Sequence, residues 1–521
     1  MPRFTLLGLM AVLGVGGLVY GEPVVAPFEA TDWSTPASKI DDLVLARLEQ
    51  NQITPARPCS DEVFLRRVYL DLIGTLPEPA ELQSFMRDTQ HGKRAAVIES
   101  LFARDEFAEY WALKWCDLLR VKAEFPINLW PNAVQAYHRW IRDAVRSNIP
   151  YDQFARELLA SSGSNFRVPP VNFYRAIQGR QPGEMAAAVA LTFMGARIAA
   201  WPKAEQDNLA AFFSKLGFKG TAEWKEEIVY TKPDAVDPLN VTFPDGVQVV
   251  IAGDQDPRKV FAAWLAEGGN PWFARNIVNR VWSWLMGRGI IHEPDDIRPD
   301  NAASNPELLA YLERELVGAN YDPRHIYRLI LNSRTYQQSS IPRSDSPDAE
   351  ALFAFYPARR LDAEVLIDAL CWITGSRESY QSAIPEPFTF IPDYQRSIAL
   401  ADGSITSPFL EMFGRPPRDT GLESERLNQP TDAQRLHLLN SSNVQRRIQN
   451  SWRIRNLLRG AKNKPALAIT KVYETVLTRK PTESELQVVA DYAQASGLPP
   501  KQAAEDLVWA LINTKEFLYK H

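Results

Sequence analysis

Cysteine and histidine are scarce: the chain of 521 residues holds 3 Cys and 6 His. Three thiols allow at most one bridge with one thiol left over, so a small disulfide scaffold is excluded. Cys116 and Cys371 lie in apolar helical patterns and Cys59 in a Pro-flanked loop, and no structural disulfide is expected. None of His91, His138, His292, His325, His437 and His521 stands three or four positions from another, which excludes a helix-borne zinc pair. Basic charge is not in surplus. Lys and Arg number 58 against 63 Asp and Glu, a net charge of −5. A general nucleic-acid binder needs a basic footprint, so that class is excluded. Beyond the N-terminus no apolar run approaches the roughly 20 residues of a spanning helix, so no membrane span is expected in the mature chain. Cys-x-x-Cys-His, His-Glu-x-x-His, Gly-x-Ser-x-Gly, a phosphate loop and a dinucleotide fingerprint are all missing. The sequence therefore predicts no cofactor and no metal.

What is present is ordinary globular composition, 45% hydrophobic with 14 Trp, which excludes disorder as the dominant state. Residues 1–21 read as a signal peptide. Arg3 supplies the positive start, Phe4 to Leu18 the apolar stretch, and Val19 and Gly21 the small residues before a cleavage site ahead of Glu22. The alternative, an uncleaved anchor, is disfavoured by the shortness of the run. The expected location is periplasmic or extracellular.

Helical periodicity fills most of the chain: residues 39–50, 61–73, 104–122, Trp130–Asn148, Asp152–Ser161, Met185–Ile198 and Leu209–Leu216. It breaks between about 223 and 252, where Glu227–Thr231 and Val247–Ile251 are β-prone and Pro244-Asp245-Gly246 signals a turn. It resumes at Pro257. The expected fold is mainly α: a helical domain over 22–218, a small β linker or insertion over 219–256, and a helical domain over 257–521 with a long irregular segment at about 376–430. A helical module recurs near each end. Val68-Tyr69, Pro77 and Glu81-Leu82-Gln83 reappear with the same spacing as Val472-Tyr473, Pro481 and Glu485-Leu486-Gln487.

Two polar segments carry candidate chemistry. In Arg288–Asn301, clustered oxygens on a loop could hold Ca²⁺, but the spacing fits no EF-hand. Asn305-Pro306-Glu307 beside it reads as a helix cap. The second segment, 401–426, brings Asp402, Arg415, Arg418, Asp419, Glu423, Glu425 and Arg426 together among Gly and Pro. Long irregular segments in compact domains are often functional. Paired carboxylates could hydrolyse a glycoside, and the arginines could grip an anion. A salt-bridge network locking the loop onto helices is the structural alternative. The Trp residues, among them Trp111, Trp115, Trp130, Trp140, Trp264, Trp272, Trp282 and Trp284, sit in or beside helical stripes. Core packing is expected of them first and sugar stacking second.

Further motifs carry a family likeness. They are Phe64–Gly74 with Pro77, Tyr110–Arg120, Asn148–Phe154, Asn270–Arg275, Asn279–Trp282, Asn305–Leu309, Ser333–Tyr336 and Arg359–Glu364. On these the chain resembles the exported planctomycete and verrucomicrobial proteins that join the cytochrome-associated domain of unknown function 1549 to domain of unknown function 1553. The likeness covers nearly all of the mature chain. It implies export and secreted partners, and no established reaction. Some relatives carry a Cys-x-x-Cys-His segment where this chain has Ala199-Ala200-Trp201-Pro202-Lys203, so haem attachment is not expected. The favoured expectation is an exported interaction or accessory protein that binds an envelope partner protein or a glycan through 376–430. The alternatives are a polysaccharide hydrolase using carboxylates among Asp402, Asp419, Glu423 and Glu425, and a docking surface for a separate cytochrome.

Overall fold

The computed structural model describes residues 24–233, 237–461 and 464–521. The predicted signal peptide lies outside these. The chain is mainly α. Among the described residues no helix is long and apolar enough to cross a membrane.

The first half opens with α1 (Lys39–Gln50), α2 (Asp61–Leu72), α3 (Pro79–Arg87), α4 (Lys93–Phe102), α5 (Asp105–Leu118), α6 (Pro131–Ser147) and α7 (Tyr151–Ala160). In α2 the Ser60 hydroxyl caps Val63 N–H, and Asp61 and Glu62 favour the positive end of the helix dipole. Every residue from Val63 to Leu72 is then buried, including Arg66, Arg67 and Asp71. In α5 burial runs from Phe107 to Leu118 with only Glu109 outside it, and includes Lys114 and Asp117. A helix buried all round is a core element. These two are unusual in carrying charge inward. The helix Phe273–Met286 is a third such element, with Asn276, Asn279 and Arg280 buried. The amphipathic α6 buries Val134, Tyr137, His138 and Ile141 and ends on Asn148 in the left-handed conformation.

The strands are short. β1 (Gly163–Ser164), β2 (Leu216–Gly220) and β3 (Glu227–Thr231) form an antiparallel sheet in the order β1-β3-β2. β4 (Leu239–Thr242) and β5 (Gln248–Ile251) form a hairpin around the expected turn, with Gly246 at φ 90. β6 (Arg359–Arg360) pairs with the C-terminal β7 (Tyr519–Lys520). The helical reading of Leu209–Leu216 needs correction: the helix ends at Ala211 and β2 begins at Leu216. Phe212, Phe213 and Leu216 are all buried, and short buried apolar runs read alike for helix and strand. Gly217 then faces Tyr230 across the pair, where any Cβ would come within 2.7 Å of the ring.

Between Gly375 and Thr431 the chain is irregular, broken only by Ser397–Ala399, Pro408–Met412 and Glu423–Glu425. This segment lies along α5 and the 121–131 loop: Gly403 N–H donates to Val121 O, and Glu124 N–H to Ser404 Oγ.

Candidate functional site

The 401–426 arginines point inward. Arg418 is fully buried, at φ 60; its Nε donates to Asp117 Oδ1 at 2.8 Å and its Nη1 to Val121 O and Ala401 O. Arg426 bridges Glu364 Oε2 at 2.7 Å and Asp117 Oδ2 at 2.6 Å. Arg415 donates to Asp402 O and Ile405 O. The carboxylates are engaged as well. Asp402 accepts from Ala123 N and Ser404 N. Asp419 pairs with Lys122 at 2.7 Å. Glu423 accepts from Trp284 Nε1 at 3.0 Å, and Glu425 accepts from the amides of Asp419 and Thr420.

Around this lies a wider ionic core. Asp362 accepts from Lys114 Nζ at 2.8 Å, Tyr110 OH at 3.0 Å and Asn428 Nδ2 at 2.7 Å. Asp71 accepts from Tyr336 OH and Tyr356 OH and pairs with Lys520 at 2.9 Å. Burial by itself would raise the pKa of Asp362, yet Lys114, Arg426 and Lys520 hold it well below the ordinary 3.8. Burial opposes the charge of Arg426 too, and Glu364, Asp117 and Asp362 outweigh it. Sequence reasoning missed Asp117, Glu364 and Asp362 as partners. The available signal was a charged residue inside an otherwise apolar helix, as at Lys114 and Asp117.

In the Arg288–Asn301 loop, Asp295 pairs with Arg280, and Asp296 and Asp300 pair with Arg298. Asn305 caps the next helix by accepting from Leu308 N–H. Among the described residues no three His, Cys, Asp or Glu side chains gather as a metal site. The three cysteines are free thiols.

The exposed chemistry lies elsewhere. Trp130, Trp224 and Phe388 form a triangle of rings, with centroids 4.7, 5.3 and 5.5 Å apart. Lys225 Nζ sits 5.0 Å from the Trp130 ring. Phe125, Phe390 and Tyr394 are exposed in the same loops, at 81%, 69% and 79%. Trp130 is the N-cap of α6, and from there an open groove of about 490 Å³ is lined by Asn132, Gln135, Arg139, Asp143, Trp140 and Phe166. None of the seven predicted site residues lines this groove. Of the tryptophans read as core, Trp111, Trp115, Trp264, Trp282 and Trp284 are buried, whereas Trp130, Trp140 and Trp272 are half-buried.

The family model PSCyt2, a protein of unknown function (DUF1549), matches residues 39–210, and PSD1, a protein of unknown function (DUF1553), matches residues 257–493. The chain combines both families. No curated protein and no solved structure matches it. The ionic core joins the two matched regions: Lys114 and Asp117 come from the DUF1549 part, and Asp362, Glu364, Arg418 and Arg426 from the DUF1553 part. The aromatic triangle spans them too, with Trp224 contributed from between the matches.

Proposed function

We propose that this is an exported accessory protein that binds a glycan at the cell envelope, through the aromatic triangle and the groove on α6. The observation that carries the reading is the Trp130–Trp224–Phe388 platform, with Trp224 and Phe388 exposed and Trp130 half-buried, at the start of the helix that carries a groove of amide, guanidinium and carboxylate side chains. Contiguous exposed aromatics mark interaction sites. A pyranose presents a flat C–H face that stacks on such rings, while its hydroxyls need donors and acceptors of the kind Asn132, Gln135, Arg139 and Asp143 supply. Phe388, Phe390 and Tyr394 belong to the 376–430 segment from which partner or glycan binding was expected. Hydrolysis by the 401–426 carboxylates is not adopted, because each of the four already has a polar partner.

The test is affinity electrophoresis against a panel of neutral, uronate-rich and sulfated polysaccharides. Wild type is retarded by at least one of them, and a Trp224→Ala/Phe388→Ala variant is not. Equal migration of the two proteins on every polysaccharide overturns the reading. Export has its own test: the mature protein recovered from the envelope begins at Glu22.

On the same footing we read 22–218 and 257–521 as two helical domains joined by the 219–256 β insertion. The separate family matches support this. We also read the corners at Tyr69 and Tyr473 as copies of one module. Support comes from Gly74 and Thr478, which both turn left-handed, and from the capping carboxylates Glu81 and Glu485, which occupy the same position in the following helices.

A further inference from the structure

We infer that the segment between Asp432 and Glu474 is a docking surface for an anionic phospholipid bilayer. This stretch holds nine Lys and Arg and no Asp or Glu, in a chain whose net charge is −5. Positive charge is therefore gathered here against an acidic remainder. The fold turns it outward. The helices Ser442–Gln449 and Trp452–Gly460 both pack on the helices Ala363–Thr374 and Pro500–Ile512. They bury Val444, Ile448 and Ile454, which leaves their opposite faces to solvent. On the second helix Trp452, Arg455 and Arg459 recur at spacings of three and four, which sets them on one stripe, and all three are exposed. Arg446 on the first helix and Lys464 just beyond the second are exposed as well. Arg435, Arg447 and Arg453 are matched by Asp432, Glu378 and Glu78. Arg446, Arg455, Arg459 and Lys464 have no carboxylate partner among the described residues. Such like charges repel one another in water, and an anionic surface turns that repulsion into attraction.

Apolar side chains in the same segment select a bilayer over a soluble polyanion. Trp452 is 50% exposed, and its indole N–H donates to Gly375 O at 3.0 Å, so what it offers a partner is its apolar ring. Leu436, on the helix before, and Leu467, on the helix after, are 57% and 39% exposed. A sulfated polysaccharide would answer the cations and leave the two leucines in water. A bilayer takes both: lipid phosphates meet the guanidinium groups, and the boundary between headgroups and acyl chains takes the indole and the aliphatic side chains. Each cation brought to an anionic lipid surface raises partition about fivefold. The segment shares no residue with the Trp130–Trp224–Phe388 platform or the α6 groove.

The test is sedimentation of the mature chain, beginning at Glu22, with vesicles of phosphatidylcholine alone or with about one third phosphatidylglycerol, at low salt. The protein is expected to sediment with the phosphatidylglycerol vesicles and to stay in solution with phosphatidylcholine alone. Arg455→Gln/Arg459→Gln should lower its partition about thirtyfold. Lys203→Gln/Arg298→Gln changes the net charge equally at two exposed cations outside the segment, and should partition as wild type does. Three results overturn the proposal. One is no sedimentation with phosphatidylglycerol vesicles. Another is an equal loss in the two double variants, which would leave only a general attraction of charge. The third is retention by dextran sulfate that Arg455→Gln/Arg459→Gln abolishes, without vesicle binding, which would give the surface to a soluble polyanion.

Discussion

Arg426 stands between Glu364, Asp117 and Asp362, with its side chain almost wholly removed from solvent. Such a pair contributes little relative to an apolar core, but removing one partner leaves buried charge uncompensated. Arg426→Ala is therefore expected to cost about 3–5 kcal/mol, read from urea unfolding. An exposed arginine such as Arg435, paired with Asp432 on the same helix, is expected to cost under about 1 kcal/mol by the same assay. Tyr151 behaves oppositely. Its hydroxyl is buried without a partner among the described residues, so Tyr151→Phe is expected to be neutral or stabilising by about 1 kcal/mol.

At the scale of elements, the C-terminal strand does more than its length suggests. β7 pairs with β6, Lys520 meets Asp71, and His521 O accepts from Arg67 Nε at 2.9 Å. Ending the chain after Leu518 is expected to cost at least about 3 kcal/mol in urea unfolding, since Asp71 loses a cation and Arg67 an acceptor. The two similar corners reach one geometry by different means. Arg104 binds Glu81 and Glu106 beside Tyr69, while Arg479 binds Glu485 and Glu516 beside Tyr473. Glu81 and Glu485 keep the 404-residue offset of the repeat, whereas Glu106 and Glu516 stand 410 apart and the arginine comes from a different position. Legibility follows the same rule of range. Glu227–Thr231 and the Pro244-Asp245-Gly246 turn were readable because strand propensity and turn chemistry act over a few residues. β1, with two residues paired to Val229 and Ile228, was not, since nothing in Gly163-Ser164 is strand-like without its partner.

For the whole molecule the buried titratable groups fix the response to acid. Burial pushes His138 and His521 down to about 3, so the unfolded chain takes up their protons first. The stability they confer is present above pH 6.5 and is lost as pH falls towards 3. For Asp71, Asp117 and Asp362, burial is outweighed by neighbouring cations and the pKa is lowered. Their contribution is present above 3.8 and is lost as pH falls through the folded values. Asp368, pushed up to about 6 by burial, opposes this, its contribution vanishing as pH rises through 6. Tm is expected to fall below about pH 6.5 and more steeply below about 3.8, with Asp362→Asn flattening the lower limb. A Tm independent of pH between 7 and 3 would contradict this.

The sequence by itself determined the helical class, the short strands before Pro257, the family likeness and the presence of a polar loop at 401–426. These follow from periodicity, turn chemistry and local composition. Only the tertiary structure decided which way that loop faces. Arg418 meets Asp117 from 301 positions away, and Trp130, Trp224 and Phe388 meet from three separate loops. Spacing along the chain carries no record of such contacts. A guanidinium becomes part of a lock when carboxylates close on it from other helices, and an aromatic ring becomes a surface when none of its neighbours covers it.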